Sequence, residues 1–276
     1  VGEDNARTDS AARDDEERLS QAVSTAEQAL IEFEIAVETF RVEVDNFARL
    51  HHQRLGPMYA RLDELDALIA EAVAARTGDP EDILRAQQAR AFVQPMPDVD
   101  ELFGRAGGGP WAGRDPADPG LPDDAPLSSR VRPSREAQRL YRELARRAHP
   151  DLAQEDGEQR RRSAFIARVN EAYARGDEAA LRQLAEEWDS GPEQPAAAPA
   201  TENRLQTLYA RLEWLAARRD ALAARSSELE QSAMGAMLRL APQDPDGLLN
   251  EIAEQLLAQV AEREARLGEL LHPARD

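Results

Sequence analysis

The sequence predicts an all-α protein in which long coiled-coil-like helical hairpins flank a short antiparallel helical finger. Three observations carry this expectation. Ala, Leu, Arg and Glu dominate the 276 residues, with charged residues at 32% and aromatics at only 5%, a composition suited to narrow helical seams and not to one broad core. Apolar residues recur at alternating steps of four and three, which keeps one stripe of a helix turned toward a partner. Gly and Pro gather into a few punctuating segments between the periodic stretches.

Residues 1–16 are acidic, polar and aperiodic, and read as a tail without fixed structure. An N-terminal arm is expected over residues 17–93. Its seam runs through Leu19, Val23, Ala26, Leu30, Phe33, Val37, Phe40, Val44 and Phe47. Two steps of four through His51 to Leu55 resemble a stutter, after which Met58, Leu62, Leu65 and Ile69 resume the pattern. His51 reads as a partly buried seam residue, not as a metal ligand. Gly56–Pro57 falls inside this arm, and a proline removes a backbone donor and crowds the preceding turn, so a kink or break is expected there. Gly78 follows the arm. Asp79 is placed to cap a second helix with Pro80 at its first position and Phe92 near its end, folding back on the first.

Residues 94–133 form a Gly/Pro-rich linker, in which Trp111 reads as a loose anchor on the helical body. The finger occupies residues 134–189, and a second linker residues 190–200. A C-terminal helical hairpin is expected over residues 201–271. Thr201 is its candidate N-cap, and Leu208, Leu215, Leu222 and Leu229 repeat every seven residues with Leu205 and Leu212 in support. Residues 241–247 break the pattern, and Leu248, Leu249, Ile252, Leu256, Leu257, Val260 and Leu267 mark a last helix. The economical arrangement is two antiparallel helices joined by a short loop. Whether the seams close within one chain or between two copies stays open from sequence.

The formal net charge is −19, which speaks against a nucleic-acid partner, since such binding needs a basic face that displaces counterions. All 34 basic residues are Arg. There is no Cys, so disulfides, thiolate metal sites and a cysteine nucleophile are excluded. Only His51, His52, His149 and His272 supply imidazole, so no metal or other cofactor is expected. No Gly-rich phosphate loop is present, and no pattern builds a cleft that would shift carboxylate pKa values, so an enzyme is not expected. No run of about 18 apolar residues occurs, which argues against membrane insertion. The start of the sequence lacks a basic-then-apolar leader, so a cytoplasmic location is the expectation.

The finger carries the informative motif. Leu140, Leu144 and Ala148 share one helix face with Ala137 and Tyr141 beside them, while Arg135, Arg139, Arg142 and Arg146 form an adjacent stripe. Pro150 stops the helix, so His149–Pro150–Asp151 is expected in an exposed loop. A second amphipathic helix follows through Phe165, Ile166, Val169, Ala172 and Tyr173. Two such helices around a loop make an antiparallel hairpin with both apolar stripes inward. Arg160–Arg161–Arg162 reads as a solvated helix start or part of a partner-facing surface.

The run from Tyr141 to Arg146, the His149–Pro150–Asp151 tripeptide, and Val169–Asn170–Glu171–Ala172–Tyr173 resemble, in order, the second helix, loop and third helix of the J-domain family. This is the Hsp40-type co-chaperone family, here of the kind without a cysteine-rich zinc region. The resemblance covers about a fifth of the chain. It implies a J-type hairpin that binds an Hsp70 chaperone and stimulates its ATP hydrolysis. Carried over, His149, Pro150 and Asp151 are the trigger loop, and Arg139, Arg142 and Arg146 a basic face for an acidic surface of the partner. Tyr141, Leu144, Ile166, Val169 and Tyr173 are the hairpin core. The long arms are then expected to bind a client or partner, or to drive oligomerisation. The chain departs from the family's pattern in three places. No aromatic-rich first helix precedes residue 134, where Val131–Arg132–Pro133 stands instead. Glu143 occupies a position that is often basic, and Ala148 one that is often aromatic. A rival expectation is a coiled-coil scaffold that keeps a degenerate, inactive J-type element.

Overall fold

A computed structural model describes residues 2–93, 128–153, 155–190 and 204–272, with side chains from residue 15 onward. Among the described residues there are eight α-helices, one short 3-10 turn and no strand, so the fold is all-α. The helices are α1 (Gly2–Thr77), α2 (Pro80–Phe92), α3 (Arg135–Ala148), α4 (Asp156–Arg175), α5 (Glu178–Asp189), α6 (Arg204–Gln231), α7 (Ala233–Leu240) and α8 (Pro245–Leu271). The 3-10 turn, Pro150–Leu152, lies between α3 and α4. None of these helices is long and apolar enough to cross a membrane.

Two features of α1 correct the sequence expectations. The helix already runs from Gly2, so the acidic tail is helical; no proline and no second glycine lie before Gly56 to stop its propagation. The helix also continues through Pro57 without a break. Pro57 and Gln53, whose carbonyl loses its intrahelical donor to the proline, are both exposed residues. At the far end Gly78 adopts φ +65° and its N–H returns to the Ala74 carbonyl at 2.9 Å, a left-handed stop that glycine makes without side-chain strain.

The chain divides into two compact units. The first contains α1 as far as Val44, the finger of α3, α4 and α5, and α6 with the start of α7. The second contains α1 from Asp45, α2, residues 129–131, the rest of α7 and α8.

In the second unit α2 folds back on α1. Asp79 accepts the Glu81 N–H at 2.8 Å, and Arg90 clasps Glu71 at 2.7 and 2.8 Å. Asp244 caps α8 in the same way, accepting from Gly247 N–H at 2.8 Å. Arg61 binds Glu264 and Arg263 binds Asp66, tying α8 to α1. His51 lies half-buried with its ring near Phe47 and Tyr59, and burial lowers its pKa with help from His52.

In the first unit α1 buries two stripes. Val23 and Leu30, with Ala26 and Phe33 beside them, pack on Leu215 and Leu222 of α6, flanked by Leu208 and Leu212. Arg211 binds Glu27 and Arg218 binds Glu34, each at 2.8 Å and each 184 residues apart. That shared offset, one heptad on, shows that α1 and α6 run parallel. The expected 201–271 hairpin is therefore divided. The heptad leucines of α6 find their apolar complement on α1, while α8 belongs to the second unit. The other stripe of α1, Ile31, Ile35 and Val42, joins the finger's core. Thr201, Trp111 and nearly all of both expected linkers lie outside the described residues.

Candidate functional site at the His149–Pro150–Asp151 turn

The finger is built by two helices, the first capped at its start and the second at its end. Ser134 accepts the Ala137 N–H at 3.0 Å and opens α3; Pro150 prevents its extension past His149. At the end of α4, Gly176 takes φ +70°, and Asp177 N–H returns to the Ala172 carbonyl at 2.9 Å. Asp177 then caps α5 through Ala180 N–H. Tyr141 lies against Tyr173 with ring centroids 4.2 Å apart, and Arg162 reaches back to the Arg147 carbonyl. Residue numbers rise along α3 as they fall along α4, so the two helices are antiparallel.

Tyr141, Leu144, Ile166, Val169 and Tyr173 are all buried in one cluster with Ile31, Ile35 and Val42 of α1 and with Leu181 and Leu184 of α5. Burial pushes the Tyr173 hydroxyl up to about 12, and that of Tyr141 well above its ordinary value. Trp188 of α5 closes this side over Phe165, with centroids 4.7 Å apart.

The turn at the end of the finger is not exposed, contrary to the sequence expectation. His149 retains 4% of its surface, Pro150 is buried and Asp151 is mostly covered. Its covering comes from the same chain. His149 Nε2 lies 2.7 Å from a carboxylate oxygen of Glu34 on α1. His149 Nδ1 accepts the Asp151 N–H at 3.2 Å, which leaves Nε2 as the donor to Glu34. The second oxygen of Glu34 accepts from Arg218 of α6 at 2.8 Å. Arg211 of α6 donates to the Asp151 carbonyl at 3.4 Å. The amphipathic finger predicted a protruding tip; instead Ile31, Ile35 and Val42 of α1 share the finger's core, and Glu34 on the same helix meets the turn.

The electrostatics follow from this packing. Burial raises the Glu34 carboxyl, but the hydrogen bond from His149 and the charge and hydrogen bond of Arg218 outweigh it and leave Glu34 below the ordinary range. Burial dominates at Asp151 and holds it above the ordinary range, despite His149, Arg211 and Arg218 nearby. Glu34, His149 and Asp151 also bring three ligand-type atoms within 4.8 Å of one another. Arg218 already occupies one Glu34 oxygen and both imidazole nitrogens are engaged. The arrangement is therefore read as an internal hydrogen-bonded network in which Glu34 and His149 are already engaged by protein groups.

The arginine stripe of α3 is also drawn into internal pairs. Arg146 binds Glu32 of α1, which lowers the Glu32 carboxyl. Arg139 binds Glu136 at 2.8 Å and lies 3.7 Å from Glu143. Arg142 is exposed, with its charge close enough to Glu32 to lower it further.

Arg162 is the residue that sequence reasoning missed. Instead of lying in a solvated helix start, it is 1% exposed. It donates to the Arg147 carbonyl at 3.1 Å and the His149 carbonyl at 3.3 Å, and its Nε binds Glu158 at 2.7 Å. It thus satisfies the carbonyls left open where α3 ends and fixes the turn's backbone. Its spacing of three before Phe165 puts it on the inward face of α4, and that was the available signal.

Comparison with known proteins identifies no matching family model, curated protein or solved structure.

Proposed function

We propose that the chain is a J-type co-chaperone whose finger engages an Hsp70 chaperone and stimulates its ATP hydrolysis. The supporting observation is the antiparallel α3–α4 hairpin, with its tyrosine-stacked core and a His149–Pro150–Asp151 turn held by Arg162 at the junction of the two helices. The turn would present His149 and Asp151, and Arg139, Arg142 and Arg146 would supply the basic face that steers a transient partner. The α1–α6 coil would serve as the arm that positions the finger or holds a client or second protein.

Coverage of the turn in this conformation requires that only an opened fraction of molecules bind the partner, which weakens apparent affinity by that fraction. The test is steady-state ATP turnover by a DnaK-type Hsp70 against increasing amounts of this chain. Turnover is expected to rise with concentration, and His149→Gln is expected to abolish the rise while the chain stays folded. An equal rise with His149→Gln would defeat the assignment of the turn.

A second reading has its own observation. Glu34, Glu32, Arg211 and Arg218 occupy the turn and part of the arginine stripe from within the chain. A scaffold protein with a J-derived finger used only for packing would look the same. It predicts no effect on Hsp70 turnover at any concentration.

A further inference from the structure

Resting on the co-chaperone reading above, we propose that the parallel α1–α6 coil is an autoinhibitory clasp on the His149–Pro150–Asp151 turn, latched by Glu34 and Arg218.

Four polar groups of the turn are engaged by the chain itself. His149 Nε2 is bonded to Glu34, the His149 carbonyl to Arg162, the Asp151 N–H to His149 and the Asp151 carbonyl to Arg211. A partner that reads this turn must displace some of these contacts. The contacts differ in kind. Arg162 belongs to the finger and keeps the turn's shape. Glu34, Arg211 and Arg218 belong to the coil and cover it.

Of the two covering helices, α6 is the one that can move. Helix α1 shares the finger's apolar core through Ile31, Ile35 and Val42. Helix α6 meets α1 through a narrow seam centred on Leu215 and Leu222. Arg211 of α6 bonds the Asp151 carbonyl and Arg218 bonds Glu34 beside it, and both arginines are part-exposed. Ion pairs contribute little net stability beyond desolvation but are specific in geometry, which suits a reversible cover. When α6 lifts, Glu34 loses its guanidinium partner and water reaches both the carboxylate and His149. The Glu34–His149 contact is then no longer shielded, and a partner can exchange for it.

The test uses the full chain with Arg218→Ala, and Arg211→Ala as a second, milder variant. Amide exchange is read for His149, Asp151 and Leu152 and, as an internal reference, for α2. ATP turnover by a DnaK-type Hsp70 is titrated with the same samples. Loss of a hydrogen bond to a buried charge corresponds to roughly tenfold or more in an opening equilibrium. Exchange at the turn is therefore expected to rise by about that factor in Arg218→Ala, less in Arg211→Ala, with α2 unchanged. The concentration giving half-maximal stimulation is expected to fall in step. Unchanged exchange at the turn in both folded variants overturns the clasp, whatever the turnover shows. Faster exchange without stimulation sustains the clasp as a cover and overturns the co-chaperone reading.

Discussion

His149 Nε2 and Glu34 Oε2 meet at 2.7 Å across 115 residues of sequence, with side-chain exposures of only 5% and 7%. A histidine at the end of a helical finger is thereby held against the flank of the longest helix in the chain. The contact makes the turn part of the first unit's interior, and most of the testable consequences radiate from it.

Removing the Glu34 charge takes from His149 and Arg218 the carboxylate that they share. Glu34→Gln is expected to destabilise the protein by about 1–3 kcal/mol in urea unfolding. Glu32→Gln, two residues earlier on α1, breaks the half-exposed pair with Arg146, and is expected to cost well under about 1 kcal/mol. Equal losses for the two would mean that Glu34 is not buried as described.

Arg162→Met preserves much of the side chain's packing but abandons the carbonyls of Arg147 and His149. A loss of about 2–3 kcal/mol is expected, the cost of buried acceptors left without a donor. Arg161→Met, whose side chain is 42% exposed, is expected to lie within about 0.5 kcal/mol of the parent. Thermal unfolding of the two variants side by side decides the matter.

The two carboxylates at the turn pull stability in opposite directions with pH. Glu34 is lowered in the folded state. Its contribution is present above the unfolded carboxylate range and is lost as pH falls through its lower folded value. Asp151 is raised, chiefly by burial. The folded state then holds a proton that the unfolded state has released, so Asp151 costs stability above its folded value and the cost disappears as pH falls through it. Asp151→Asn is accordingly expected to raise the melting temperature near neutral pH and to lose that advantage below the ordinary carboxylate range. A Tm–pH profile of Asp151→Asn parallel to that of the parent at every pH would contradict this.

The α1–α6 seam supplies a further contrast. Leu215 is 3% exposed and Leu205 is 40% exposed. Leu215→Ala is expected to cost about 2–4 kcal/mol, and Leu205→Ala within about 0.5 kcal/mol. Comparable effects would place the seam elsewhere on α6.

Much of this fold could be read from residue spacing. The heptad steps of Val23, Leu30, Leu215 and Leu222 announced helical seams, and Asp79–Pro80, Asp244–Pro245 and Gly78 marked helix boundaries that local backbone chemistry sets. The finger's inward face from Tyr141 to Tyr173 was equally legible from amphipathic period. What spacing could not supply was which seam meets which. A heptad leucine specifies an apolar partner but not its identity, so α6 was expected against the last helix and instead runs parallel to α1. Ile31, Ile35 and Val42 form a second stripe only one residue removed from the first, and the eye follows the stronger. Glu34 sits beside both stripes, and a carboxylate there reads as solvated until Arg218 and His149 arrive from distant segments. For the same reason the tripeptide was expected in the open, because its cover is built from residues sixty or more positions away on either side.

The most direct test of a J-type turn held closed by its own coil is Hsp70 ATP turnover with Arg218→Ala, compared with the double variant Arg218→Ala, His149→Gln. The account predicts stronger stimulation than the parent by the single variant and none by the double variant. Identical turnover with the two variants would contradict it.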